Sequence, residues 1–212
     1  MDPTNPVIQL CAQGMQAEVE GRGSDAADLF RQAWDKAGDD YEACIAAHYL
    51  ARHQSTPEDI LRWNQECLDR ADRVGDERVR GFYPSLHLNL ARAHQDLGAS
   101  GKAREHYLSA AECIGDAAEG PYRDGIRFAV ADGLRTRPSE ADPLAELLDR
   151  LCARAALTTL GLLLPPYLGD LGTGEDRTRL LTALHMVHAG RTLPEGEQAL
   201  LQDAIARRSL AG

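Results

Sequence analysis

His185 and His188 stand three residues apart, a spacing that puts two imidazoles on one helix face, where they could reach one metal ion. No HExxH pattern surrounds them and no cysteine lies beside them, so a half-exposed pair next to a leucine face is expected, and no metal. His87 and His94, seven apart, fall on the face of their helix that should pack, which reads as half-buried core histidine rather than catalytic base. The five cysteines, at 11, 44, 67, 113 and 152, are an odd number at wide spacing without a CxxC pair. That pattern points to reduced thiols, which behave as small apolar side chains. Asp39-Asp40 and Glu58-Asp59 lie at helix starts, where the helix dipole and water account for them. The glycines of the stretch GDLGTGED (169–176) follow no strand and match neither a phosphate-binding loop nor a dinucleotide fingerprint. No catalytic residue, metal or cofactor is expected, and the chain does not read as an enzyme.

Composition narrows the remaining classes. The chain has 212 residues, long enough to bury a core without disulfide or metal staples. Its 33 acidic and 23 basic residues give a net charge of −10, the wrong sign for holding a nucleic-acid backbone. The start, MDPTNPVIQL, has neither a basic region nor an apolar run, so no signal peptide is expected. The most apolar stretch, Ala155 to Leu168, is too short to span a bilayer and is expected to break at Pro165-Pro166. A cytoplasmic protein without nucleic-acid or membrane partners is the expectation.

The elements that must position any site show in the repeats. Gly14, Gly21, Ala26, Phe30 and Ala33 recur, at identical spacing, as Ala91, Gly98, Ala103, Tyr107 and Ala110. Each set places a small residue in one helix, a turn glycine, then a small–aromatic–small face in the next helix. Moving the first set by 34 residues gives a degenerate middle copy of His48, Ser55, Ile60, Asn64 and Cys67, while Ala37 and Ala71 still match. Helices are predicted at about 6–20, 24–37, 41–53, 57–73, 84–97 and 100–114. Thr56 is placed to cap the fourth, and Ser24 and Ser100 to cap the second and sixth. Nine extra residues, Gly75 to Tyr83, are expected to lengthen a flanking helix. No run alternates with period two, so the chain is expected to be all-α.

Over roughly residues 7–117 this period and these small and aromatic positions resemble the tetratricopeptide repeat family. The resemblance implies a right-handed superhelix of antiparallel helix pairs, whose first helices line a concave groove for an extended or helical peptide. Matched copy by copy, the first helix offers Ile8, Cys11, Ala12, Met15 and Val19, the second Ile45, Tyr49 and Arg52, and the third Ser85, Leu88, Asn89 and Arg92. A following helix, about 119–134, adds Arg123 and Arg127. Met15, Tyr49, Arg52, Asn89, Arg92, Arg123 and Arg127 are thus the candidate groove residues, running from apolar to basic, for a partner with an acidic end and an apolar end.

After residue 117 the repeat fades. Arg135–Asp142 reads as a loop, and helices are expected from Asp142-Pro143 through Ala155, over 174–189 and over 194–208. The expected division is a repeat domain, 1–138, and a helical segment, 139–212, acting as cap or dimerisation module. The leucines from Leu144 to Leu164 exceed what one repeat face needs, which favours a homodimer through the C-terminal third. The function expected is a non-enzymatic protein-interaction module. The alternatives are a peptide or small-ligand sensor and an accessory subunit of an enzyme complex.

Overall fold

The computed structural model describes residues 4–135 and 142–210; residues 136–141 of the expected loop lie outside them. Helices take 81% of the described residues and no strand occurs among them, so the protein is all-α. It divides into two compact units, Met1–Ile126 and Arg127–Gly212.

The first unit is built from three helical hairpins. They are α1 (Pro6–Val19) with α2 (Gly23–Lys36), α3 (Asp40–Ala51) with α4 (Pro57–Val74), and α6 (Tyr83–Asp96) with α7 (Ser100–Glu112). Each hairpin packs on the next through α2 against α3 and α4 against α6. The matching glycines close the first and third hairpins in the same way. Gly21 (φ 75°) and Gly98 (φ 71°) take the left-handed conformation, and the next N–H reaches back five residues, Arg22 to Ala17 and Ala99 to His94. This is the helix ending that favours glycine, because a Cβ would be strained there. Gly14 is buried beneath the Phe30 ring, whose Cζ and Cδ1 would lie 2.7 and 2.8 Å from an added Cβ. Only glycine allows that approach.

Three local expectations need correction. Ser24 and Ser100 do not cap: their helices start one residue earlier or at the serine itself, and Arg22 and Ala99 hold the cap positions without a side-chain bond. Thr56 does cap, accepting from the Asp59 N–H at 3.2 Å. The Gly75–Tyr83 insertion does not lengthen α4. Gly75 ends it in the left-handed conformation (φ 59°), and a separate one-turn helix follows, α5 (Glu77–Arg80), capped by Asp76 and anchored by fully buried Val79. Between α7 and α8 (Pro121–Leu134) runs a 3-10 turn, Ile114–Asp116.

The second unit packs α9 (Pro143–Ala153), α10 (Leu157–Leu168), α11 (Gly174–Gly190) and α12 (Glu195–Leu210). Each touches its neighbour in the chain, and α12 returns to α9. The first of these helices ends before the expected Ala155, which takes a positive φ of 53°. The break at Pro165-Pro166 does not occur: α10 runs through both prolines to Leu168. Their missing N–H groups free the carbonyls of exposed Gly161 and Leu162, which water can reach, while Leu160 and Leu163 hold the helix in the core. Leu144, Leu147, Leu151, Leu163, Leu184 and Leu201 form a sealed centre, so most of the apolar surplus read from the sequence is used inside this unit. No helix among the described residues is long and apolar enough to cross a membrane.

Candidate functional site

The first unit encloses a concave cavity of about 630 Å³. Helical spacing explains its wall: Ile8, Cys11, Ala12 and Met15 share one face of α1, and Cys44, Ile45, His48 and Tyr49 share one face of α3. Phe82, Ser85 and Leu86 come from the start of α6, and Cys67 from α4. The segment Ala117–Tyr122 lines the remaining side.

Polar atoms at this wall mostly satisfy one another. The Ser85 hydroxyl donates to the Phe82 carbonyl at 2.8 Å, and the Tyr49 hydroxyl donates to the Met15 sulfur at 3.1 Å. The Cys44 and Cys67 sulfurs lie 3.6 Å apart, and the Cys67 thiol donates to the Cys44 carbonyl at 3.1 Å. The bond with Cys44, together with burial, pushes the Cys67 thiol well above its ordinary range. Burial pushes Cys11 up to about 12. Both therefore stay protonated, which removes the thiolate that nucleophilic or redox chemistry would need. Burial, helped by the Arg52 charge, lowers His48 to about 4, so at neutral pH its imidazole is uncharged. Apart from Glu119, no charged side chain among the described residues lines the wall at neutral pH.

The structure brings only part of the expected site together. Met15 and Tyr49 meet at the cavity. Arg52 lies over the Tyr49 ring at 4.9 Å and pairs with Glu18 at 2.8 Å, with His53 on the other carboxylate oxygen. Asn89 is half-buried and Arg92 exposed on α6, and neither reaches the cavity wall. Arg123 turns to Glu119 at 3.0 Å and to the Ala117 carbonyl. Arg127 belongs to the second unit, bonding the Gly169 carbonyl at 2.8 Å and ion-pairing with buried Asp176. The basic end expected of the groove is not part of the wall. The physical reason is that both arginines find closer acceptors in their own surroundings, and the chain reaches α8 by way of the cavity instead of continuing the repeat.

Four features of the site were not foreseen from the sequence: the Cys44–Cys67 contact, the place of His48 in the wall, Phe82 and the Ala117–Tyr122 segment. His48 had a signal, since a larger polar side chain occupies the slot that is Gly14 and Ala91 in the other copies. Elsewhere, His106, another residue not singled out, joins the two α6 histidines, with Nδ1 3.1 Å from His87 Nδ1 and its ring stacked on His94. His185 is exposed, and His188 bonds Gln198 at 2.6 Å. Comparison with family models, with curated proteins and with solved structures gave no match to this chain.

Proposed function

We propose that the first unit is a tetratricopeptide-like repeat module, a right-handed superhelix of helix pairs, that binds the apolar part of a protein partner without transforming it. One observation carries this reading: α1, α3 and α6, the first helix of each hairpin, converge on one cavity through positions in repeat register. The matched turns at Gly21 and Gly98 support it. A cavity of about 630 Å³ also suits a small ligand, and the Ala117–Tyr122 wall favours that second reading, a sensor, because it shortens an open groove into a pocket.

Capture from native lysate tests the first reading when cavity-filled variants are run beside the wild type. A defined polypeptide should be held by the wild type and by Arg31→Glu on exposed α2, and lost from Ala12→Trp and Ala118→Trp. A polypeptide held equally by all four would contradict it. For the second unit, the homodimer is a proposal resting on exposed Leu157, Leu162 and Met186. Sedimentation velocity of the full chain at tens of micromolar is expected to show a dimer, and a monomer alone would remove the proposal.

A further inference from the structure

We infer that the cavity selects an uncharged, largely apolar ligand group carrying one hydrogen-bonding function, which meets the imidazole of His48. This deepens the binding reading above and rests on it. The volume of about 630 Å³ lies within the range of small-molecule sites, roughly 300–1,000 Å³, and holds a two- or three-ring aromatic or a cluster of branched side chains.

The selection follows from what the wall lacks. No Lys or Arg among the described residues lines it, and Arg52, which lies over the Tyr49 ring, is already paired with Glu18 at 2.8 Å, so a buried anion would find no free counter-charge. Its one carboxylate, Glu119, is 89% exposed and already paired with Arg123 at 3.0 Å, so a cation gains little by entering. An ion taken from water into such a wall loses hydration without recompense, whereas an apolar group gains from the same transfer. The net charge of −10 adds a field against anions.

Orientation comes from His48. The Ser85 hydroxyl and the Cys67 thiol are committed to backbone carbonyls, but the His48 ring has no hydrogen-bond partner among the described residues. The Tyr49 ring stands edge-on to it, with the ring centroids 5.3 Å apart. As a neutral ring it offers one donor and one acceptor, a match for a hydroxyl, phenol or amide. A ligand group can also take the Tyr49 hydroxyl from Met15, because a thioether sulfur is a weak acceptor.

A matched probe pair tests this on the full chain: neutral N-phenyl-1-naphthylamine and its anionic 8-sulfonate, both fluorescent when shielded from water. The neutral probe should bind saturably at one site, the sulfonate at least tenfold more weakly. Ala12→Trp and Ala118→Trp, substitutions at exposed positions of the wall, should abolish neutral-probe binding with the circular dichroism unchanged. In His48→Phe, 1-naphthol should displace the neutral probe at least tenfold less well than in the wild type, while naphthalene displaces it equally in both. Equal binding of the neutral and anionic probes overturns the selection and leaves the cavity as a binding site. Equal loss of naphthol and naphthalene in His48→Phe overturns the role of the imidazole. Neutral-probe binding that is absent, or that survives both tryptophans, overturns the cavity as a binding site and the inference with it.

Discussion

The two units bury different side chains, and the difference accounts for the apolar cavity of the first. In the first, Ala17, Ala26, Ala33, Ala46, Ala47 and Ala71 are fully buried, and Gly14 lets a ring press on backbone. Small residues bring paired helices close but add little side-chain volume where three hairpins curve together, so a hollow remains. In the second, fully buried leucines from four helices fill the space between them. Charge is handled differently as well. The second unit ties its helices with Arg127–Asp176, Arg154–Glu197 and Arg208–Asp142, each with one partner well buried or both largely so. The first joins its hairpins through ring contacts, Phe30 on Tyr49 at 4.8 Å and Trp34 on Trp63 at 4.9 Å, and through the more exposed Arg52–Glu18 pair. One unit fills its interior with leucine and carries a polar hollow of about 590 Å³ at its surface beside His188 and Gln198, and the other keeps an apolar interior surface.

The largest expected effect breaks the leucine-filled unit. Asp176 is 3% exposed and also accepts from the Thr173 hydroxyl at 2.8 Å and the Leu171 N–H at 3.2 Å. Asp176→Ala strands the Arg127 guanidinium and should cost about 3–5 kcal/mol in urea unfolding. A loss below about 1 kcal/mol would mean that charge does not tie this unit together.

Acid should act next, through the first unit. Burial holds His48 at about 4, below its ordinary 6.5, so the unfolded chain takes up the proton first. The stability this contributes is intact above about pH 6.5 and is lost as pH falls towards 4, by about 3 kcal/mol for this residue. His87, His94 and His106 are lowered as well, chiefly by burial, and shift stability in the same direction. Urea midpoints at pH 7.5, 5.5 and 4.5 should fall in that order, and His48→Phe should flatten the trend. A midpoint unchanged from pH 7.5 to 4.5 would exclude buried neutral histidine as its cause.

A pair of glycine substitutions sharpens the comparison with opposite signs. Gly14→Ala forces a Cβ into the Phe30 ring, which is stacked on Tyr49, and should destabilise by about 1–3 kcal/mol. Gly161→Ala, in α10, meets open space and should stabilise by about 0.4–1 kcal/mol through the unfolded chain. Thermal melts that move the same way for both would deny that close helix approach distinguishes the units.

The hairpins were legible because their determinants are local: a turn glycine, a small residue under a ring, a threonine cap. Part of the site was legible for the same reason, since Met15 and Tyr49 sit 34 residues apart. What the sequence hid depends on tertiary partners. Nothing near Arg127 announces a buried acceptor 49 residues away, so it read as a free groove cation. Pro165-Pro166 reads as a break because propensity disfavours it, and burial of Leu160 and Leu163 outweighs that locally. The Ala117–Tyr122 segment has no periodicity to betray its place against α1 and α3.

On the proposed binding role, the hollow of the first unit holds the ligand group and the leucine-filled unit takes no part. Amide and methyl resonance shifts of the full chain, titrated with N-phenyl-1-naphthylamine, measure this directly. Saturable shifts are expected at Ile8, Met15, Ile45, His48 and Ser85, with residues 143–210 unmoved. Shifts centred on exposed Leu157, Leu162 and Met186, with those five residues still, would contradict it.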